Sequence, residues 1–181
     1  FDVPVSLDTY KSAVAEAGIA VGADLINDIW GLKYDPKMAD VIAKADVACC
    51  LMHNRDNSDY GDFLSEWYQE TAECVELAKK AGIADDKIIL DPGVGFGKTY
   101  EQNLTTIKYM DDLKKLGYPL LLGTSRKSVI GLTLDTPVTD RAVGTAVTTV
   151  FAVQQGYAFV RVHDIKVNKQ AIQMTKAILN A

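Results

Sequence analysis

The sequence has few cysteines and no long apolar run, and both shortages narrow the kind of protein it can be. Three cysteines occur in 181 residues: Cys49 and Cys50 are adjacent inside an apolar run, and Cys74 stands alone. An odd number in this arrangement, without a C-x-x-C pair, does not suit a disulfide framework, so buried free thiols and a reducing, cytoplasmic location are predicted. No apolar stretch approaches the roughly 20 residues that a membrane helix needs, and no secretory signal pattern is visible.

A basic excess is also missing. The net charge is −5 at pH 7, whereas general nucleic-acid binding needs a clustered basic face. Neither nucleic acid nor a membrane is therefore a predicted partner. The chain is 48% hydrophobic and 24% charged, which is typical of a globular protein, and its length suffices to bury a core.

Several familiar catalytic signatures are absent. Residues 90–99, LDPGVGFGKT, end like a P-loop, but the position five residues before Gly97 is Pro92, which has no N–H to offer a phosphate. The chain also contains no serine nucleophile elbow and no H-E-x-x-H metal motif. Nucleotide binding and covalent catalysis are therefore not favoured, and the glycine-rich stretch needs another explanation.

The chain does contain a regular alternation of short apolar runs and helical patterns. Strands are predicted at 3–7, 24–29, 47–52, 87–91, 118–123 and 158–162. Helices are predicted at 9–17, 37–45, 62–81, 101–116, 140–155 and 166–180. Six strand–helix units predict a parallel sheet with right-handed crossovers, either an open doubly wound sheet or part of an eight-stranded barrel. Because no linker or repeat interrupts the pattern, residues 1–181 are predicted to form one domain.

Polar residues follow every predicted strand, at the edge where parallel α/β sheets bind their ligands. A single Asp or Asn there is commonly a turn former or a helix cap, but six strands of six is harder to explain that way. Asp8, Asn27 and Asp91 offer acceptors and an amide donor, which suit a flat heterocycle that presents N–H groups. The donors and cations are Arg126, Lys127, Arg161 and His163. Such groups suit a phosphate, diphosphate or carboxylate, so the pattern indicates binding and stabilisation of a charged leaving group.

The order of these motifs resembles the dihydropteroate synthase family. The matching stretches are SLDTYK (6–11), INDIWGL (26–32), LMH (51–53), LDPGVGFGK (90–98), GTSRKSVIG (123–131), Arg141 with Gly144-Thr145, and RVHD (161–164). The resemblance implies a (β/α)8 TIM-type barrel, of which this chain contains the last six βα units, strands 3–8. It also implies an enzyme of folate biosynthesis, a transferase that joins a dihydropterin diphosphate to 4-aminobenzoate and releases diphosphate.

The resemblance also implies a role for each site residue. Pterin binding falls to Asp8, Asn27, Met52, Asp91, Gly123 and Lys127. Diphosphate binding falls to Asn27, Arg161 and His163. Aminobenzoate binding falls to Phe96, Arg126, Lys127 and Ser128. The catalytic residues are Lys127, Arg161 and His163. Two of these keep a structural alternative, since Met52 is also typical of core packing and Ser128 of a helix N-cap.

The family's first two strands and their loops have no counterpart in this sequence. By resemblance those loops help to bind Mg²⁺, so Mg²⁺ is expected as a cofactor without a protein ligand in this segment. The 181-residue segment is accordingly expected to be an incomplete barrel that is inactive alone, and a homodimer is expected for the enzyme. Two alternatives stay open: a non-catalytic pterin-binding module, and a methyltetrahydrofolate–corrinoid methyltransferase, which has no diphosphate to bind.

Overall fold

Short parallel strands alternate with helices throughout residues 2–181, the part of the chain that the computed structural model describes. The strands are β1 (Ser6–Asp8), β2 (Leu25–Asp28), β3 (Ala48–Met52), β4 (Ile88–Asp91), β5 (Leu121–Leu122) and β6 (Phe159–Val160). The helices are α1 (Ser12–Ala20), α2 (Met38–Ala45), α3 (Phe63–Ala81), α4 (Tyr100–Tyr109), α5 (Ser128–Leu134), α6 (Ala142–Gln154) and α7 (Ile165–Leu179). Every predicted strand–helix unit is present.

The strands pair in the order in which they occur along the chain. β1, β2, β3 and β4 form one parallel sheet, β5 and β6 form a parallel pair, and a parallel bridge between Leu90 and Leu120 joins the two. A doubly wound sheet reverses its strand order at a switch point, and this order contains no reversal among the described residues. The doubly wound alternative is therefore wrong, and the order is that of a barrel.

Successive side chains in each strand point to opposite faces, and the two faces differ in character. One face packs against the helices through two clusters of buried apolar residues, with Ile26, Leu51 and Leu90 in the larger one and Leu122 in the smaller. The paired residues Asp8 and Asn27 point to the other face. This alternation is what delivers polar groups to the inside of the sheet.

The ends of α3 agree with the prediction, whereas the end of α1 does not. α3 begins after Asp62, whose side chain accepts a hydrogen bond from the backbone N–H of Ser65, and ends at Gly82 with φ 89°. The prediction of 62–81 is thus confirmed. The prediction that α1 stops before Gly18 is wrong, because α1 continues to Ala20. Gly18 instead lets the helix approach β1 closely, since a Cβ there would collide with Leu7 Cδ2.

Other boundaries differ for local reasons. The helix predicted at 101–116 changes to a 3-10 helix over Met110–Leu116. Helix α5 was not predicted, because its seven residues show too few turns for a helical period. Asp35 lies two residues before Lys37, the N-cap of α2, and its side chain accepts hydrogen bonds from the backbone N–H groups of Lys37 and Ser12.

Cys49, Cys50 and Cys74 are buried and free, as predicted. Burial raises the pKa of Cys49 to about 12 and that of Cys74 to about 11, so these thiols stay protonated near neutral pH. No helix within residues 2–181 combines the length and apolarity needed to cross a membrane.

Candidate functional site

The carboxyl ends of the strands meet around a cavity of about 350 Å³. Its lining residues are Asp8, Gly123, Ser125, Lys127, Arg161, Val162 and His163. Asn27 and Asp91 lie beside it, each at most 2% exposed, and both contact Arg161. The structure thus brings together the predicted acceptors and three of the four predicted donors and cations, Lys127, Arg161 and His163, at one mouth of the sheet.

Arg161 crosses this mouth and joins the two predicted groups. Its Nη1 donates to Asn27 Oδ1 at 2.7 Å, and its Nη2 lies 3.3 Å from Asp91 Oδ2. Gly123 makes room for this contact, because a Cβ at that position would lie 2.8 Å from Arg161 Nη2. Arg161, which is predicted to bind an anion, is thus hydrogen-bonded to Asn27 and Asp91, which are predicted to bind a heterocycle.

Asn27 has an unused donor. Its Nδ2 is buried and has no hydrogen-bond partner among the described residues, although its Oδ1 accepts from Arg161. A buried amide N–H without a partner costs about 1–3 kcal/mol, so such groups are rare in structures without a functional reason. The amide is therefore available to an acceptor on a bound molecule.

Lys127 reaches the cavity from the loop that precedes α5. Its Nζ donates to the carbonyl of Val94 at 2.5 Å and lies 4.7 Å from the centre of the Phe96 ring. Burial lowers the pKa of Lys127, while the nearby carboxylate of Asp91 opposes that shift. With one hydrogen bond made to the protein, the ammonium keeps two donors for a ligand.

The glycine-rich stretch after β4 forms a tight loop, defined here as residues 92–97 and called the glycine loop. The side chain of Asp91 accepts a hydrogen bond from the backbone N–H of Gly93, whose φ is 72°. A Cβ on Gly93 would collide with the carbonyl oxygen of His53, so the loop needs glycine there for both reasons.

Lys98 binds inside this loop, with its Nζ donating to the carbonyl groups of Gly93 and Phe96. A third contact, with His53 Nδ1, leaves the ammonium no free donor for a phosphate, which does not suit the role of a P-loop lysine.

His163 is oriented by a serine. The backbone N–H of His163 donates to Ser125 Oγ at 3.0 Å, and Ser125 Oγ lies 2.9 Å from His163 Nδ1. A serine hydroxyl can accept from the backbone N–H and donate its own proton to Nδ1, and in that arrangement the imidazole carries its proton on Nε2. His163 thus offers an N–H donor on Nε2, and Ser125 is a site residue to which the sequence analysis gave no role.

Three predicted site residues, Arg126, Met52 and Ser128, are not among the residues that line the cavity. Arg126 makes a bidentate pair with Asp164, at 2.6 and 3.0 Å, and it does not line the cavity. Met52 is fully buried at the end of β3, opposite Asp91 in register and outside both apolar clusters. Ser128 is exposed and is the first residue of α5, so the alternative that it is an N-cap is wrong.

Arg141 holds the loop that carries Ser125, Arg126 and Lys127. Its guanidinium donates to the carbonyl groups of Arg126, at 2.9 Å, and of Thr136, at 3.2 Å. Arg126 has φ 57°, an unfavourable value for this residue type, which these contacts help to maintain. The only sequence signal for this role is the presence of Arg141 in the shared motif.

No group of three or more His, Cys, Asp or Glu side chains suited to a metal ion occurs within residues 2–181. The carboxylates nearest the cavity, Asp8 and Asp91, do not change this, because Asp91 is already bonded to Arg161 and to Gly93.

Comparison with known proteins agrees with this geometry. The family described as "Pterin binding enzyme" matches residues 1–163. The dihydropteroate synthase of Clostridium beijerinckii is 55% identical over 180 residues, which cover 99% of this chain and 67% of the relative. That of Bacillus subtilis is 47% identical over 178 residues, covering 98% of this chain and 62% of the relative. The chain thus spans about two thirds of the length of these relatives.

Solved structures show the same fold. A dihydropteroate synthase from Clostridium difficile, crystallised in the presence of pteroic acid, superposes with a TM-score of 0.96 at 46% identity, covering 98% of this chain and 68% of that one. The Yersinia pestis enzyme in complex with a sulfonamide drug gives 0.94 at 35% identity, covering 99% and 68%. These proteins are TIM barrels, and the described strands are part of one. By its sequence, its strand order and the residues at its mouth, the chain belongs to the pterin-binding enzyme family and, within it, to the dihydropteroate synthases.

Proposed function

We propose that this chain carries the pterin- and diphosphate-binding site of an enzyme that joins a dihydropterin diphosphate to 4-aminobenzoate and releases diphosphate. The observation that carries the proposal is the unpartnered amide of Asn27 beside the buried carboxylate of Asp91. A pterin ring presents adjacent N–H and NH₂ donors together with ring and carbonyl acceptors. A carboxylate can accept those donors, and an amide N–H can bind an acceptor on the same ligand.

The pterin site proposed here consists of Asp8, Asn27, Met52, Asp91, Gly123 and Lys127. Asp91 has one oxygen committed to the backbone N–H of Gly93, which fixes the direction of its second oxygen. That second oxygen now meets Arg161. This contact is long, at 3.3 Å, and a carboxylate oxygen can accept more than one hydrogen bond, so the same oxygen can also accept from the ligand's donors.

Arg161 and His163 are the proposed diphosphate ligands, together with Asn27. The guanidinium of Arg161 has five donors, of which one contacts Asn27 and one contacts Asp91, so the others can bind phosphate oxygens in the bidentate manner that guanidinium favours. His163 adds the Nε2–H that Ser125 orients. Both groups stabilise negative charge that grows on the bridging oxygen as it leaves, which is where electrostatic catalysis is most effective.

The proposed reaction breaks the C–O bond of the pterinylmethyl diphosphate, with the electron pair leaving on diphosphate. The neutral amine of 4-aminobenzoate then attacks the methylene carbon, forms the C–N bond and loses one proton. A strong base is not needed for this step, because the product ammonium is acidic. We assign Phe96, Arg126, Lys127 and Ser128 to the aminobenzoate side, where Lys127 and Phe96 already contact each other.

Mg²⁺ is part of the proposal only as a companion of the diphosphate. The described residues supply no cluster of carboxylates for it. A cytoplasmic location, a homodimer and the absence of nucleic-acid or membrane partners likewise stay predictions. Sedimentation of the purified protein tests the oligomeric state.

Calorimetry with 6-hydroxymethylpterin and with pteroic acid tests the site. We expect one molecule of either to bind per chain. Replacing Asn27 with Ala should lower the affinity for 6-hydroxymethylpterin by about tenfold, which corresponds to the loss of one buried hydrogen bond to the ligand. Unchanged affinity in that variant would contradict the proposal. A matched control is Asn180→Ala at the exposed end of α7.

A non-catalytic pterin-binding module shares this site, so turnover separates the two functions. Diphosphate release from the two substrates supports an enzyme, whereas pterin binding without release by the full-length protein supports a module. The methyltransferase alternative is not favoured, because the curated relatives are dihydropteroate synthases and Arg161 and His163 suit an anion.

A further inference from the structure

A buried chain of polar groups lies behind the glycine loop, away from the cavity. Lys98 Nζ lies 2.8 Å from His53 Nδ1, and His53 Nε2 lies 2.9 Å from Glu70 Oε2. Glu70 Oε1 in turn pairs with Arg55 at 2.7 Å. His53 is completely buried, and none of these groups has a role in the proposed reaction.

The hydrogen bonds favour one protonation state for each member. Lys98 Nζ has three acceptors, namely Gly93 O at 2.9 Å, Phe96 O at 3.0 Å and His53 Nδ1 at 2.8 Å. An ammonium has three protons and can donate to all three acceptors; with His53 neutral and donating from Nε2 to Glu70, only the charged form of Lys98 satisfies every contact. His53 must then accept on Nδ1 and donate from Nε2 to the carboxylate of Glu70. Burial and the nearby Lys98 lower the pKa of His53 to about 2, so its ring is neutral.

The two carbonyl groups that Lys98 holds are three residues apart in the glycine loop. Bonding both to one atom closes the loop around Val94, whose carbonyl is the acceptor for Lys127. The same closure sets the position of Phe96, whose ring lies against Lys127 Nζ. Lys98 therefore acts on the site through the backbone, by way of Phe96, which is assigned to aminobenzoate alone, and Lys127, which is assigned to both pterin and aminobenzoate.

We propose that Lys98, held by His53 and Glu70, is a positioning residue that shapes the glycine loop and thereby places Phe96 and Lys127 for the aminobenzoate half of the ligand. The inference rests on the proposed function for the identity of that ligand. Its effect on the loop itself does not depend on any ligand.

Hydrogen exchange tests the loop in the free chain. Lys98→Met keeps the apolar stem and removes all three hydrogen bonds. We expect faster exchange in peptides that cover residues 92–97, with little change elsewhere. Lys169→Met, at an exposed position of α7, is the matched control and should leave exchange in the loop unchanged. Unaltered exchange in Lys98→Met would overturn the proposal.

Calorimetry tests the effect on the site. In Lys98→Met, the affinity for pteroic acid should fall about tenfold, as for the loss of one well-placed interaction. The affinity for 6-hydroxymethylpterin should fall by less, because it lacks the aminobenzoate half that Phe96 is assigned to and keeps only the contribution of Lys127. Equal loss of both would mean general damage and would refute a positioning role. If the wild type binds neither probe, the proposed function fails, and hydrogen exchange still decides whether Lys98 shapes the loop.

Glu70→Gln covers the case in which Lys98→Met does not fold. Glu70 is part-exposed on α3, and Gln keeps its size while removing the charge that orients His53. We expect the same selective loss for pteroic acid, smaller than in Lys98→Met, together with faster exchange of the glycine loop. Wild-type behaviour of Glu70→Gln in both measurements would count against the network.

Discussion

Asp91→Asn tests the pterin site most directly, because both oxygens of this carboxylate have defined neighbours. Asp91 is 1% exposed; Oδ1 accepts from the backbone N–H of Gly93 at 2.8 Å, and Oδ2 lies 3.3 Å from Arg161 Nη2. In the variant, the amide oxygen is expected to stay with Gly93, since that contact is short and buried. The NH₂ group then replaces Oδ2 and faces donors.

The expected magnitude follows from these contacts. A charge-assisted hydrogen bond to the ligand contributes about 1.5–3 kcal/mol, and a buried donor left without an acceptor costs about 1–3 kcal/mol. Allowing for overlap between the two effects, pterin affinity should fall by about 2–4 kcal/mol, or roughly 30- to 1000-fold. The Asn side chain also faces the guanidinium of Arg161, so the ion pair in the free chain is lost as well.

Titration calorimetry with 6-hydroxymethylpterin measures the affinity, and urea unfolding shows whether the variant is folded. Asp86→Asn is the matched control, because Asp86 is an exposed aspartate two residues before the start of β4. We expect wild-type affinity for the control. A folded Asp91→Asn variant with affinity within about threefold of wild type, less than one hydrogen bond is worth, would refute the assigned role.

Three further predictions concern the loop, the pH dependence and the sheet edges. Gly93→Ala should lower the free energy of unfolding by about 2–4 kcal/mol, against about 1 kcal/mol for Gly117→Ala, which has a similar φ but open space around its Cβ; equal losses in urea denaturation would contradict the steric argument. Burial lowers the pKa of Lys98 from 10.5 to about 7, with Lys127 and Lys33 adding to the shift and Asp91 and Glu70 opposing it. Because Lys98 loses a proton, and with it a hydrogen bond to the loop, the affinity for pteroic acid should fall as pH rises through about 7. The pH profile of Lys98→Met should lack this step. Between pH 7 and about 10, Lys98 is protonated in the unfolded chain and neutral in the folded one, so its contribution to the free energy of unfolding rises with pH. Stability and affinity for pteroic acid therefore change in opposite directions over this pH range. The 181-residue chain alone should associate as its concentration rises, because β1 and β6 each have one edge unpaired among the described residues and Phe159 is 46% exposed; a monodisperse monomer in light scattering, with full activity, would contradict this and the expected inactivity.

The succession of strands and helices could be read from the sequence because it depends on local properties. α3 shows this best, since its helical spacing, the acceptor at Asp62 and the left-handed stop at Gly82 all act within a few residues. The polar residues at strand ends were equally accessible. Once the strands are parallel, their carboxyl ends must share one edge, so a site there follows from the pattern alone.

The lengths of β5 and β6 and the extent of α1 depended on neighbours instead. β5 and β6 are two residues each, although longer apolar runs surround them. α1 passes through Gly18 because the packing against Leu7 needs a residue without a side chain. Propensity treats that glycine as a stop, and tertiary packing overrides it.

The sequence by itself determined that polar groups follow the strands at one mouth of the sheet, and the tertiary structure decided which of them line the cavity and what they contact there. Arg161 and Asn27 are 134 residues apart, and no spacing rule could pair them. The same holds for Lys98, which the sequence analysis excluded from a P-loop without finding its partners His53 and Glu70. The physical reason is that hydrogen bonds in a buried site require donor–acceptor distances that are correct to within a few tenths of an ångström, and only the packed fold sets those distances.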